Sequence, residues 1–246
     1  MVAAATSGSV TGPRRRVGRL IARLESAYGR PAPIDRKDPL SELVFTILSQ
    51  NTSDLNRDRA WTSLWSAFGS WEQIATWPRL RLERAIRVGG LAPTKSRVIQ
   101  SVLRRVRVDQ GAYDLECLRG MSMEEVEAYL RDFKGVGIKT IRCVQVFSLG
   151  QPAFPVDTHI LRITKRLGLV PPKAGAEAAH RIMQALTPPS EALPFHLNLI
   201  AHGRRVCKPA RPLCGSCVIL RLCPHGQELT ARRPASEARP VAPLRR

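Results

Sequence analysis

Residues 133–158 read FKGVGIKTIRCVQVFSLGQPAFPVDT. The stretch opens on a tight glycine turn, Gly135-Val136-Gly137, with Lys139 at the start of the apolar run that follows. Upstream, Ser122-Met123-Glu124-Glu125 is a capping box, and Val126, Tyr129, Leu130 and Phe133 recur at helical spacing. Downstream, the spacing predicts a helix from about Lys139 to Leu149, broken by Pro152 and Pro155. Asp157 then caps a further helix carrying Ile160, Leu161, Thr164 and Leu167, ended by Gly168. The unit is therefore helix, glycine hairpin, helix.

Working outward, Val17, Leu20, Ile21, Leu24 and Tyr28 form a helical stripe stopped by Gly29 and Pro31. Asp38-Pro39 starts a second helix with Leu40, Leu43, Val44, Ile47 and Leu48 on one face. A polar run from Ser49 to Asp54 follows, and Ser53 or Asp54 is placed to cap the next helix. Trp71–Trp77 and Leu80–Val88 read as short helices. Trp61, Trp65, Trp71 and Trp77 are expected to pack in a core rather than to stack on bases. Gly89-Gly90-Leu91-Ala92-Pro93 is a turn that leaves Leu91 exposed, and a helix resumes over Lys95–Val106. Past Pro171-Pro172, helices are expected over Ala178–Leu186 and Leu193–Val206. No segment alternates like a strand between hairpin turns, and no internal repeat is visible. The fold class is all-α.

Lys and Arg number 39 against 20 Asp and Glu, a net charge of +19 on 246 residues. Such an excess calls for a polyanionic partner. No apolar run approaches the roughly 20 residues that span a bilayer, and the N-terminus lacks a secretory apolar core. Nucleic acid is the expected partner, and the location cytoplasmic and nucleoid-associated. Residues 1–16 and 227–246 are expected to be loose, basic ends.

Glycines let successive backbone N–H groups turn toward one point, and a helix N-terminus adds its dipole. A DNA phosphate suits that site and would be gripped without regard to base sequence. Lys139 stands where such a phosphate would dock. As a nucleophile it needs a neutral amine, favoured by an apolar face or a nearby cation, for which Arg142 is the candidate. Asp157 is a helix cap, and a carboxylate held ionised there can also steady a cationic sugar. Cys207-x6-Cys214-x2-Cys217-x5-Cys223 presents four soft ligands in seventeen residues. Without an export signal these read as a metal site, either a [4Fe–4S] cluster or tetrahedral zinc. Lys208 and Arg211 in the first loop add cations that can meet phosphate. Cys117 and Cys143 are isolated.

With these residues in view, the chain resembles the endonuclease III family of helix-hairpin-helix DNA glycosylases from about Asp38 to Pro224. Three signatures agree in order: Phe133–Cys143, Val156-Asp157-Thr158-His159, and the 6-2-5 cysteine spacing. The resemblance implies two helical lobes with a DNA-binding cleft between them. One is a helical barrel over 38–150 with the helix-hairpin-helix at 122–149. The other joins 17–37 to 151–226 around a [4Fe–4S] cluster on Cys207, Cys214, Cys217 and Cys223, mainly structural in the family. It implies a monomer that removes damaged bases, foremost oxidised pyrimidines, from duplex DNA. Lys139 matches the Schiff-base lysine and Asp157 the catalytic aspartate. Gly135, Val136, Gly137 and Thr140 become the phosphate-gripping positions. Asn51 falls where the family fills the gap left by a flipped nucleotide with glutamine, and Leu91 where a leucine wedge opens the stack. His159 is expected to be buried and structural. Phe133-Lys134, Ile138 and Ile141 depart from the usual residues beside the lysine. Thr46 stands where adenine glycosylases carry glutamate. The alternatives are a non-catalytic DNA-binding protein, a zinc-stabilised one, and a glycosylase for mismatched or other bases.

Overall fold

The computed structural model describes residues 11–232. Among them are twelve α-helices joined by turns and short 3-10 segments, and no strand. They form two compact units, each with its own core. One consists of Ile34–Ala153; the other combines the residues up to Pro33 with those from Phe154 onward.

The Ile34–Ala153 unit contains α2 (Pro39–Leu48), α3 (Asp54–Ala67), α4 (Trp71–Thr76), α5 (Arg79–Ala85), α6 (Ala92–Gln110), α7 (Met123–Arg131) and α8 (Ile138–Cys143). Each start has a local cause. Asp38 Oδ1 accepts from Ser41 N at 2.8 Å with Pro39 at the first helical position. Ser53, not Asp54, caps α3 by accepting from Asn56 N. Ser122 and Glu125 form the reciprocal capping box at 2.7 and 3.2 Å. Leu43, Ile47, Leu64, Ile74, Ile99, Leu103 and Leu130 fill the core. Trp61, Trp71 and Trp77 pack against that core, and Trp65 meets Trp61 and Trp71 edge-on. The core reading of the tryptophans therefore holds.

The second unit contains α1 (Thr11–Tyr28), α9 (Thr158–Arg166), α10 (Ala176–Leu186), α11 (Ala192–Arg205) and α12 (Pro224–Ala231). Val17, Leu20 and Leu24 of α1 pack with Ile160, Ile163, Met183, Phe195 and Leu199. Among the described residues no helix is long and apolar enough to cross a membrane.

Four local readings need correction. Helix α1 begins at Thr11, so 11–16 are helical rather than loose; Arg14 donates to the Ala185 carbonyl and Arg16 to those of Leu167 and Leu222. Residues 1–10 lie outside the described ones. Residues 227–231 belong to α12, because Pro224 sets its first turn and the Cys223 sulfur accepts from Gly226 N; the tail expected beyond, 233–246, lies outside the described residues. Helix α6 starts at Ala92 rather than Lys95, since Pro93 in its first turn favours helical φ. The helix after the glycine turn is α only to Cys143 and widens into a π-helical segment over Val144–Ser148. Arg36 donates to the Val146 carbonyl at 2.6 Å, and Ser148 Oγ to that of Lys37 at 2.7 Å, anchoring this segment to the preceding linker.

Candidate active site and DNA-contacting loops

In the Ile34–Ala153 unit the glycine turn joins α7 to α8. Gly135 has φ 91°, and a Cβ there would lie 2.6 Å from Val98 Cγ2. Only glycine fits that conformation against α6. Gly137 is different: its backbone is extended and a Cβ would meet nothing within 4 Å. No side chain caps α8, so its first amides are left for another acceptor. Val136 and Thr140 are only 6 and 3% exposed. Their side chains are therefore buried, and only the backbone of the turn is open to a ligand.

Lys139 is the second residue of α8 and half-buried. Arg142 is not the free cation expected beside it. Its guanidinium donates to Glu127 Oε2 at 2.6 Å and to Gln145 Oε1 at 2.8 Å, tying α7 to α8. The charge that Lys139 does act on is one the sequence reading passed over, Glu42. Helix α2 packs against α8, and Glu42 is buried on α2 with Thr46 Oγ1 donating to its Oε1 at 3.0 Å. Burial raises the Glu42 pKa, and the Thr46 hydrogen bond and the charges of Lys37, Lys139 and Arg57 only partly oppose it. A carboxylate thus stands one helical turn before Thr46. Because its folded pKa is raised, Glu42 adds no cost below its ordinary value of 4.5 and an increasing cost as pH rises past it. Glu42→Gln is expected to raise Tm by roughly 2–4 °C at pH 8 and to leave it unchanged near pH 4; thermal melts at the two pH values check this.

Asn51 and Leu91 share an unusual backbone. They are the two non-glycine residues with positive φ among the described residues, 49° and 50°. Asparagine tolerates the left-handed region; leucine adopts it at a cost of about 1–2 kcal/mol. Both side chains are exposed, Leu91 to 51%. Strain of this kind gathers where a side chain must be presented outward.

In the second unit, Asp157 caps α9, its Oδ1 accepting from Ile160 N at 2.8 Å. The buried segment before it is clamped. Gln184 Oε1 accepts from Phe154 N at 2.8 Å, His180 Nε2 from Val156 N at 2.9 Å, and His196 Nδ1 meets the Pro155 carbonyl at 2.9 Å. His159 is half-buried rather than buried; it packs on α11 at Gly203 and meets Arg162 at 3.1 Å.

None of the four clustered cysteines is in a disulfide. They line one apolar hollow together with Ile163, Leu167 and Ile219. Burial pushes the Cys217 thiol up to about 12, so a cationic centre is needed to hold it as thiolate. Among the described residues no three His, Cys, Asp or Glu side chains stand close enough to hold a single metal ion. Arg162 and Arg166, one turn apart on α9, hold the loop that carries Lys208 and Arg211. Arg162 donates to the Cys207 and Gly203 carbonyls at 2.8 and 3.1 Å. Arg166 donates to Cys207 Sγ at 3.2 Å and to the Lys208 and Pro209 carbonyls at 2.8 and 2.7 Å. Lys208 and Arg211 are themselves exposed. The helix that Asp157 starts is thus the one that braces the basic loop, a link visible only as arginines at helical spacing.

Comparison with known proteins gives concordant matches. Residues 44–189 match the HhH-GPD superfamily base excision DNA repair protein family. The Arabidopsis thaliana protein At3g47830, a DNA glycosylase by its given name, is 40% identical over 185 residues, covering 74% of this chain. Endonuclease III of Thermotoga maritima is 30% identical over 202 residues, covering 82% of this chain. The chain spans 60% of the first relative's length and 88% of the second's. A solved non-covalent endonuclease III–DNA complex superposes with a TM-score of 0.76 at 25% identity, over 89% of this chain and 99% of that one.

Proposed function

The chain belongs to the HhH-GPD superfamily of base excision DNA repair proteins, within its endonuclease III family, and from that premise we propose that it is a bifunctional DNA glycosylase and AP lyase acting on damaged pyrimidines in duplex DNA. The observation that carries this reading is Lys139, half-buried at the second position of the helix that the glycine turn begins. The uncapped amides of α8 and the open space over Gly137 suit close approach of a DNA phosphate. The positive charge draws the duplex in without sequence preference. Asn51 and Leu91 enter the stack and the damaged nucleotide is extruded.

The Lys139 amine, unprotonated, then bonds to the sugar's C1′. The bond from C1′ to the base nitrogen breaks, and the base leaves with the electron pair and takes up a proton. Asp157 steadies the positive charge that develops on the sugar. Ring opening gives a protonated Schiff base, which acidifies the C2′ hydrogen. Loss of that proton expels the 3′ phosphate by β-elimination, and water releases Lys139.

We read the cysteine hollow as the seat of a [4Fe–4S] cluster. All four cysteines line the one hollow, and the four soft sulfurs in a 6-2-5 spacing suit a cluster. When bound, the cluster supplies four iron–thiolate bonds that staple the loop from Cys207 to Cys223. Cys217→Ser is expected to remove the brown colour and visible absorption of protein purified without oxygen and to lower Tm by more than about 5 °C. A colourless, zinc-loaded wild type would overturn the assignment.

The activity is tested with the full chain on duplexes carrying thymine glycol, dihydrouracil, uracil, a mismatch or an abasic site, with borohydride added to trap the Schiff base. Release of an oxidised pyrimidine with a trapped adduct is expected. Release without any adduct would leave a monofunctional glycosylase, and turnover on none of the duplexes a DNA-binding protein.

A further inference from the structure

One buried cation lies outside the chemistry described so far. Lys95, in the first turns of α6, is 2% exposed. Its Nζ donates to two backbone carbonyls, Leu48 at 2.7 Å and Gly89 at 2.8 Å. Among the described residues it has no carboxylate partner, and burial alone lowers its pKa, to about 8. Burying an ammonium is costly, and a well-packed apolar side chain would usually stabilise the fold as well or better. What the lysine supplies is a fixed geometry between two carbonyls.

Those carbonyls are not arbitrary. Leu48 ends α2, where orphan carbonyls and the helix dipole favour a cation; Asn51 follows three residues later. Gly89 precedes Leu91 by two residues, and a Cβ on it would crowd Ala60 Cβ at 3.1 Å. The amide of Lys95 also donates to the Leu91 carbonyl at 2.9 Å. One side chain therefore pins both turns that carry a left-handed non-glycine residue.

We propose that Lys95 is a positioning residue that holds the Asn51 and Leu91 turns at a set spacing, so that the two side chains enter a base stack as one unit. This rests on the reading of Asn51 and Leu91 as the residues that penetrate the duplex. The ligand is a stacked, paired DNA segment; a single strand, with no stack to open, does not need the pair. Lys95 touches no reacting atom, and its loss acts through the two turns.

The test uses the full chain, with single-turnover nicking of an abasic site in duplex and in single-stranded DNA, and 2-aminopurine beside the site to report stack opening. Lys95→Met is expected to slow duplex nicking about tenfold or more and to suppress the fluorescence rise, while single-strand nicking changes less than about threefold. Lys95→Arg, which keeps a cation in the fold but not the reach of the ammonium, is expected to show the same duplex-selective loss. In the wild-type background the losses from Asn51→Ala and Leu91→Ala are expected to be non-additive, and in the Lys95→Met background that coupling disappears. Equal losses on both substrates for both Lys95 variants, or no loss on either, would overturn the proposal. If instead Asn51→Ala and Leu91→Ala leave duplex nicking and fluorescence unchanged, the reading of the two penetrating residues falls first.

Discussion

Lys139→Gln is expected to abolish the borohydride-trapped adduct and to cut strand nicking on the order of 10⁴-fold or more, the scale at which loss of a nucleophile acts. Glutamine has similar length and polarity but no basic amine. The side chain is half-buried on a helix that packs through Ile138 and Ile141, and the ammonium is only one of three cations that favour the Glu42 carboxylate. Tm is therefore expected to hold within about 2 °C, and affinity for undamaged duplex at fixed salt to change little, since one cation among many is lost. Gel electrophoresis of the borohydride-treated complex reads the result. An adduct of undiminished yield in Lys139→Gln would show that another amine carries the chemistry.

Asp157→Asn has the second largest expected effect, and it separates two roles that share one side chain. As a helix cap, asparagine is as good as aspartate, so the hydrogen bond to Ile160 N survives and stability changes by less than about 0.5 kcal/mol. As a charge facing a cationic sugar, asparagine is a poor substitute. Base excision is expected to slow by about 10²- to 10³-fold in single-turnover assays. Asp157→Ala removes both roles and is expected to add a cap loss of about 1 kcal/mol, seen as a lowered Tm. If the asparagine variant excises at the wild-type rate, Asp157 is a cap alone.

The elements that were legible beforehand are those with local causes. Asp38-Pro39, Ser122 with Glu125, and Asp157 each announce a helix start within four residues, and the structure uses all three. Cys207, Cys214, Cys217 and Cys223 were legible as a set from their spacing, and the structure places all four around one hollow. Other features depend on distant neighbours. Glu42 reads as an ordinary polar residue in an amphipathic helix, and only the packing of α8 on α2 makes it a buried carboxylate under the influence of Lys139. Lys95 reads as a solvated lysine, the usual fate of that residue type; its two acceptors lie 47 and 6 residues away. Arg142 was misread for the same reason, since its partner Glu127 is fifteen residues back on another helix. The left-handed backbone at Leu91 had no signal at all, because leucine is not a residue that asks for it.

The crowding of Val98 against Gly135 links two places that the chemistry treats separately. Helix α6 carries Leu91 at its tip and Val98 seven residues along, about 10 Å down a stiff rod at 1.5 Å per residue. At Val98 that rod rests on the turn that starts the Lys139 helix, with no room for even a methyl group in between. The position of α6 and that of the glycine turn are therefore set by one contact. The turn that presents Leu91 and the helix that carries Lys139 thus share one steric stop, and Val98→Ala would loosen it.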